Sequence, residues 1–484
     1  MSSSAVDLKN VQGDILIGFP KKAERFFFFE IKHDVRAFRA GLHELVPLIT
    51  TSEDVNSGRE QIAKHRQHNP NWLPIAFTNI AFSAKGIEKL GLNASEAQDA
   101  GFTSGMLPDA QQLGDAGKLS SDGKFDPSWA PEFKQGNIDG VILVAGDSQN
   151  SVDKALTKAL SVLRNTVSEV INIFGHSRPG KEDGHEHFGF EDGLSNPAVD
   201  GITKDLSTQG PVDQGVILIG RKGDSVTGRP SWALDGSFLA FRYLQQLVPE
   251  FNNFLKLNAT RVNDPSINTA ELLGARLTGR WKSGAPIQVT PLKDDPKLAA
   301  DPNRNNVFTF DKNSQERCPF AAHVRKMNPR GDFDGVEGVP DPKAAISTHR
   351  VIRRGIQYGP ETTDHENQQN KTEKDRGLLF VCYQSNLTNG FQFLQKSWAN
   401  HADFPLQKQQ LPGLDPLIGQ VVDADNIGVR TMTGADPANT AATLDMGIQT
   451  WVVPKGGEYF FSPSIAVLKD TFAVKPQTGT SQEL

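Results

Sequence analysis

Three polar positions in the sequence carry the side chains that acid–base and metal chemistry need. Asp192 stands within Gly189-Phe-Glu-Asp-Gly193, where the flanking glycines allow a turn that holds one carboxylate in a fixed place. His323 lies among small residues, and Arg353 and Arg354 end a strand-like run. A carboxylate can carry a proton, an imidazole can bind a metal, and a guanidinium can stabilise developing negative charge. A segment rich in Gly, Asp and His is nevertheless more often a solvated turn than a site.

The histidines allow two kinds of metal site. His185 and His187, beside Asp192, could bind a non-haem metal, although side chains two apart on an extended segment point the same way without converging on a fourth ligand. His323, between Ala322 and Val324, could approach a flat macrocycle, because one axial imidazole is enough to hold haem iron. Each reading has a structural alternative, which is a solvated loop for the pair and a hydrogen-bonded core histidine for His323.

Several function classes are excluded by missing patterns. No serine occupies a G-x-S-x-G turn, and no G-x-G-x-x-G or Walker loop opens a helix. The net charge of −6 provides no basic field for nucleic acid, and no apolar run reaches the ~18 residues that a membrane helix needs. Cys318 and Cys382 lack C-x-x-C spacing, so two buried free thiols are expected, with a single bridge left open.

The elements that position these residues alternate between strands and helices. In the first half, hydrophobic periodicity predicts strands at 25–32, 75–82, 140–146 and 167–174, and helices at 34–45, after Ser83 and at 151–163. The order strand, helix, strand, strand, helix, strand is the ferredoxin-like split βαβ pattern. Helices cover one face of such a sheet, so its other face needs a partner.

The second half repeats this plan less regularly. Strands are predicted at 215–220, 237–244, 349–358 and 377–385, helices at 248–257, 268–281, 319–328 and 389–400, and a hairpin through Lys455-Gly-Gly. A chain of 484 residues exceeds the size that one hydrophobic core usually supports. Two units are therefore expected, at 1–205 and 206–484.

Four segments together resemble the dye-decolorizing peroxidase family. Gly189-Phe-Glu-Asp-Gly193 followed by Leu-Ser-Asn-Pro is similar to the family's G-x-x-D-G motif with its fungal-type continuation. Cys318-Pro-Phe-Ala-Ala-His-Val-Arg-Lys resembles the proximal histidine helix, Arg353-Arg-Gly-Ile-Gln-Tyr-Gly-Pro the distal arginine strand, and Gly377-Leu-Leu-Phe the distal-pocket strand. Asn10-Val-Gln-Gly-Asp also looks like the start of a mature member. The matches run in the family's order over most of the chain.

The resemblance implies an α+β fold of two ferredoxin-like halves, of the duplicated, dimeric α+β barrel type, with antiparallel sheets packed face to face. The first half would carry the G-x-x-D-G loop and the second would carry one haem b. His323 would be the axial ligand, Asp192 the distal acid–base group and Arg353 the distal cation. Leu378 and Phe380 would shape a cavity that admits peroxide and excludes large molecules. Which of Arg353 and Arg354 faces the haem is left open, and the spacing favours Arg353.

The implied activity is that of a haem peroxidase. It would reduce hydrogen peroxide through a ferryl intermediate and oxidise dyes, phenols and other aromatic donors, with Mn(II) as a further donor. The protein would be a monomer or homodimer that is secreted, with a cytoplasmic location as the alternative. Gly189 and Gly193 would frame the haem pocket, and Trp398 and Tyr358 resemble surface electron-transfer positions. Activity is expected to fall as the pH rises toward neutral. The alternatives are a haem-binding or iron-releasing carrier and a non-haem metal enzyme.

Overall fold

The computed structural model describes residues 5–259, 269–421 and 430–475. Its first sheet contains four antiparallel strands, β1 Ala23–Ile31, β2 Ala76–Phe82, β3 Gly140–Gly146 and β4 Val167–His176. Their order across the sheet is β4-β1-β3-β2, and helices Val35–Leu45 and Gln149–Leu163 lie in the two crossovers. This is the ferredoxin-like arrangement that the alternation of strands and helices predicts.

The second sheet repeats that order. Its strands are β5 Ser237–Gln246, β6 Ile352–Arg353, β7 Ile356–Tyr358, β8 Gly377–Gln384 and β9 Val452–Ser462. They lie in the order β9-β5-β8, and both β6 and β7 pair with the free edge of β8. The chain is therefore a duplicated α+β fold, as expected.

The two sheets pack face to face and meet at one edge. Phe28 of β1 lies 4.9 Å from Phe241 of β5 between ring centroids, and Phe26 lies 5.2 Å from the same ring. At the edge, Phe461 pairs with Phe82. Burying such aromatic side chains between sheets is the main stabilising term, worth about 1.5–3 kcal/mol for each fully buried side chain.

The remaining helices surround the sheets. A second helix, Ser52–Arg66, also lies in the connection between β1 and β2. The other α-helices are Gly13–Leu16, Ala84–Lys89, Ala100–Ser104, Val248–Leu257, Thr269–Thr278, Pro296–Ala299, His323–Met327, Pro342–Ser347, Asp364–Gln369 and Ile465–Val467. Asp34 and Ser83 cap their helices as predicted, accepting hydrogen bonds from the backbone amides of Ala37 and Gly86. None of the helices in the described ranges is long and apolar enough to cross a membrane.

Two strand predictions in the second half are wrong. Residues 215–220 form no strand, because a 3₁₀ turn at Gln214–Val216 carries the chain across the ends of β5 and β8. Their apolar side chains are buried all the same, and an apolar run of that length signals burial without specifying a strand. The predicted hairpin through Lys455 is the single strand β9, in which a bulge between Pro454 and Gly456 absorbs the extra residue.

Other predicted elements exist with different bounds. Arg354 and Gly355 interrupt the strand predicted at 349–358. The helix predicted at 319–328 is only His323–Met327, and the start of the helix predicted at 268–281 lies outside the described residues. The helix predicted at 389–400 forms two π-helical segments, Thr388–Gln392 and Leu394–Ala399, so its residues follow a longer period than 3.6.

Both cysteines are free and buried, as expected. The domain boundary between residues 205 and 206 stays a prediction.

Candidate active site

A largely apolar cavity lies on the outer face of the second sheet. Alternation along β8 turns Leu378, Phe380 and Cys382 toward this cavity, while Leu379 and Val381 enter the core between the sheets. The helix that begins at His323, the loop around Asp192 and the π-helical segment Leu394–Ala399 supply the other walls. One strand thus serves both the core and the cavity.

Asp192 and Arg353 meet at one wall of the cavity. Arg353 Nη1 donates to Asp192 Oδ1 over 2.7 Å, and the Gly193 amide donates to the same oxygen over 2.6 Å. Burial is the largest single influence on the pKa of Asp192 and raises it, but the Arg353 guanidinium, the Gly193 amide and His323 together lower it by more. The net pKa of Asp192 lies below its ordinary value, so the resting carboxylate is ionised.

The loop that holds Asp192 is fixed at both ends. The Asp192 amide donates to the Gly184 carbonyl over 3.0 Å, which closes the loop behind the carboxylate. Asn196 accepts from the Arg353 amide over 2.9 Å and donates to the Arg353 carbonyl over 3.1 Å. These two bonds tie the loop to β6, so the carboxylate and the guanidinium are set by one framework.

The structure separates the two adjacent arginines. Arg354 Nε donates to the Asp14 carbonyl over 2.7 Å and Nη2 donates to the Leu16 carbonyl over 2.8 Å. Successive side chains of an extended segment point to opposite sides. Arg353 therefore faces the cavity and Arg354 faces the N-terminal segment.

His323 lies at another wall of the cavity, paired with a carboxylate that sequence reasoning missed. His323 Nδ1 lies 2.8 Å from Asp415 Oδ2, and Asp415 is fully buried. The other oxygen, Oδ1, accepts from the amides of Leu417 and Ile418 over 2.9 and 3.0 Å. Burial raises the pKa of Asp415, but His323 and the two amides lower this pKa by more than burial raises it. The net pKa therefore lies below its ordinary value. Asp415 fixes the imidazole and turns its Nε2 away from the carboxylate.

Buried charged side chains hold the short helix that begins at His323 in place. Arg325 Nε donates to Asp332 over 2.8 Å, and its Nη1 donates to the Cys318 carbonyl over 2.6 Å. Gly279 makes room for the helix, because a Cβ there would lie 2.9 Å from Val324. A five-residue helix would not persist without such contacts.

Three arginines lie close together beside the cavity and are here called the arginine cluster: Arg280 and Arg350, which line it, and Arg330, which lies behind them. Arg280 and Arg330 are buried and Arg350 is half-buried. Their hydrogen bonds go to neutral oxygens, among them Asn306 Oδ1 at 2.7 Å from Arg280 and the Ser195 carbonyl at 2.9 Å from Arg350. Among the described residues none of the three makes an ion pair. Burial, with a smaller contribution from the charge of Arg353, lowers the pKa of Arg280 and of Arg350 to about 10. The cluster therefore lacks a negative partner.

These groups fit the haem that the resemblance implies. Nε2 of His323 has no hydrogen-bond partner within the described ranges and can serve as an axial ligand. The apolar walls suit a macrocycle, and the unpaired charge of the arginine cluster suits its two acidic side chains. Asp192 and Arg353 form a polar part of the same cavity lining, where a carboxylate that can carry a proton lies beside a fixed cation.

His185 and His187 do not converge on Asp192, so the prediction of a non-haem metal site is wrong. His187 is buried and its Nε2 lies 2.9 Å from the Tyr358 carbonyl, whereas His185 Nδ1 lies 3.3 Å from the Asp183 carbonyl. Burial lowers the pKa of His187 to about 4. Over the described ranges, no three His, Cys, Asp or Glu side chains are grouped to hold a metal ion.

The two framing glycines differ in position. Gly193 lines the cavity with φ +83°, and the space above it is open. Gly189, with φ +95°, faces Lys282 and does not line the cavity. Gly189 therefore shapes the turn and does not contact a cavity ligand.

Trp398 and Tyr358 are not surface residues. Trp398 is only 3% exposed and stacks on Phe404 at 4.8 Å between ring centroids. Tyr358 is buried, and its hydroxyl donates to Asp375 over 2.9 Å. Trp398 packs with Leu394 and Phe404, whereas Phe391, on the preceding π-helical segment, packs against the main core and lines the cavity. Their role in electron transfer stays a prediction.

Comparison with known proteins identifies the family. The DyP dimeric alpha+beta barrel domain matches residues 10–179, and the Dyp-type peroxidase C-terminal domain matches residues 311–407. A dye-decolorizing peroxidase of Mycetinis scorodonius is 43% identical over 98% of this chain and 89% of its own length. A solved ancestral D-type dye decolorizing peroxidase is 52% identical, with a TM-score of 0.89 over 97% of this chain and 100% of that one. A dye-decolorizing peroxidase solved in complex with 2,6-dimethoxyphenol is 42% identical, with a TM-score of 0.85 over 97% of this chain and 100% of that one. The chain therefore belongs to the dye-decolorizing peroxidase family and is a peroxidase.

Proposed function

We propose that the chain binds one haem b, that His323 would hold its iron, and that Asp192 and Arg353 are the groups that act on hydrogen peroxide. The observation that carries this proposal is the Asp192–Arg353 pair in the same cavity as an imidazole whose Nδ1 is engaged by Asp415. Haem supplies the iron that binds peroxide and accepts its oxidising equivalents.

Asp192 carries the proton in the proposed mechanism. Heterolysis of the O–O bond needs a proton moved from the inner to the outer oxygen of peroxide, and the ionised carboxylate can take it and return it. Arg353 keeps Asp192 ionised and stabilises the negative charge that develops on the leaving oxygen. The loop fixed by Asn196 holds both groups in place before peroxide arrives.

The cavity walls select the molecules that reach this pair. Leu378, Phe380 and Phe391 leave an apolar lining, which suits peroxide and small aromatic donors. Dyes and larger phenols are proposed to be oxidised outside the cavity. Mn(II) as a further donor, a monomeric or dimeric state and a secreted location stay predictions.

Removing the Arg353 charge is expected to move the acid limb of peroxide reactivity to higher pH. The pKa of Asp192 is lowered, so the active carboxylate persists above that pKa and is lost as the pH falls through it. Arg353→Leu should raise the pKa of Asp192, because it removes the guanidinium charge that favours the ionised carboxylate. The pH dependence of the second-order rate constant with peroxide measures this shift. Arg304→Leu, at an exposed arginine, is the control. An acid limb that does not move in Arg353→Leu would contradict the role of the pair.

Replacing Asp415 with asparagine is expected to weaken haem retention about 10- to 100-fold, the usual effect of losing the partner of a metal-bound histidine. The asparagine keeps the size but removes the charge that orients and polarises His323. The rate at which haem dissociates is measured by its transfer to an excess of another haem-binding protein that is in its haem-free form and has a high affinity for haem. Asp403→Asn changes an exposed carboxylate nearby and should leave the rate unchanged. Equal rates in Asp415→Asn and the unaltered protein would argue against His323 as the ligand.

A further inference from the structure

Donors that cannot enter the cavity need an oxidisable side chain at the surface. Among the tryptophans and tyrosines, the exposed fraction of the side chain distinguishes one residue. All six Trp and four Tyr of the chain lie in the described ranges. Trp72 is 49% exposed, whereas the other five tryptophans are buried. Three tyrosines are buried as well, and the partly exposed Tyr243 donates its hydroxyl to Asp375 and lies under Lys455. Trp72 is thus the indole that a large donor can touch.

Two cations lie over the Trp72 ring. The Arg66 guanidinium is 4.5 Å and Lys22 Nζ is 5.0 Å from the ring centroid. Lys22 also pairs with Asp183, but Arg66 makes no ion pair within the part of the chain that the structure describes. On a chain with a net charge of −6, this site is locally positive, so it attracts anions and repels cations.

The segment that presents Trp72 is held at both ends. His65 Nε2, in the last turn of the helix Ser52–Arg66, lies 3.0 Å from the Asn71 carbonyl. On the other side, the Ile75 amide donates to Asp147 over 2.8 Å, one residue before β2. The exposed indole therefore sits on an ordered support, which favours contact with a bound molecule.

Trp72 also adjoins the loop that carries Asp192. Lys22, which touches the indole, is hydrogen-bonded to Asp183. The next residue, Gly184, accepts from the Asp192 amide over 3.0 Å. A short run of contacts thus joins the exposed indole to the cavity wall.

We propose that Trp72, with Lys22 and Arg66, binds and oxidises anionic aromatic donors that are too large for the cavity. In each cycle hydrogen peroxide takes up two protons and two electrons and becomes two waters, and two donor molecules lose one electron each. At the surface, the indole first gives one electron toward the cavity and one proton to water. The donor then returns the electron, water returns the proton, and no bond forms between the donor and the protein. The proposal rests on the peroxidase activity of the chain and is independent of the roles assigned to Asp192 and His323.

Trp72→Phe separates this site from the cavity. Turnover of a sulfonated anthraquinone dye should fall about tenfold or more, and turnover of the small donor 2,6-dimethoxyphenol and the reaction with peroxide should stay unchanged, because a half-exposed ring leaves the core intact. Trp398→Phe is the comparison at a buried indole. Unchanged dye turnover in Trp72→Phe, or a selective loss of dye turnover only in Trp398→Phe, would overturn the proposal. Loss of activity toward both donors would point to the peroxide chemistry instead.

Reversing the charge of Arg66 tests whether the anionic donor binds at Trp72. Arg66→Glu should raise the KM for the sulfonated dye about tenfold at low ionic strength, and the difference should shrink as salt screens the charges. Arg66→Lys should restore the KM. A KM that is the same in Arg66→Glu and the unaltered protein at low salt would contradict docking at this site.

A third readout does not depend on donor turnover. Peroxide added without a donor, in the presence of a spin trap, should leave an adduct on the peptide that contains Trp72, detected by mass spectrometry. The adduct should be absent at this position in Trp72→Phe. A trapped adduct found only on peptides other than the one with Trp72 would overturn the proposal.

Discussion

Replacing Asp192 with asparagine is expected to slow the reaction with peroxide by about 10²- to 10⁴-fold, the range that a positioned acid–base group contributes. Asparagine keeps the shape of the side chain and can still accept from Arg353, but it cannot take the proton of peroxide. Stopped-flow absorption with peroxide in excess measures the loss. Binding of haem should survive, because the Asp192 side chain is hydrogen-bonded to Arg353 and Gly193 and not to the His323–Asp415 pair.

The same variant separates a peroxidase from a carrier. A haem-binding or iron-releasing carrier needs no distal base, so its haem retention and release should be insensitive to Asp192→Asn. Asp200→Asn, at an exposed carboxylate in the following segment, controls for a general effect of lost charge. Rapid peroxide reduction that persists in Asp192→Asn would remove Asp192 from the mechanism.

Replacing His323 with alanine is expected to abolish stable haem binding. His323 Nδ1 is engaged by Asp415, and no second histidine lies at the same wall among the described residues that line the cavity, except His349, which stacks on Phe393. The purified variant should lose its Soret absorption, and added imidazole should restore part of it by occupying the vacated space.

The control for this change is His185→Ala. His185 belongs to the H-x-H pair that sequence reasoning considered as a metal site, and its side chain makes one hydrogen bond to the Asp183 carbonyl. Its removal should leave the haem content unchanged. Full haem content in His323→Ala together with loss in His185→Ala would reverse the assignment.

Local patterns predicted much of the scaffold but little of its pairing. The period-2 run of β8 and the capped helix after Asp34 can be read within a few residues, since each depends on neighbours in sequence. Residues 215–220 are apolar because their side chains are buried, yet they form no strand. Whether an apolar segment pairs with a strand is set by tertiary structure and not by its own sequence. The same holds for the bulge that turns an expected hairpin into β9.

The site shows the same division. The glycine frame of Asp192 and the resemblance to the family predicted Asp192, His323 and Arg353, and the structure brings all three to one cavity. Asp415 could not be found from sequence, because 92 positions separate it from His323 and its Asx-type contacts resemble those of many turns. The exposure of the tryptophan side chains could not be predicted from sequence either, since Trp398 is buried and Trp72 is 49% exposed.

The absorption spectrum of the purified protein, recorded with and without one equivalent of hydrogen peroxide, tests the central claim that this cavity holds haem between His323 and the Asp192–Arg353 pair. We expect a Soret band that changes within the mixing time when peroxide is added and that changes much more slowly in Asp192→Asn. A protein that takes up no haem, or whose Soret band responds to peroxide equally fast with and without the Asp192 carboxylate, would contradict it.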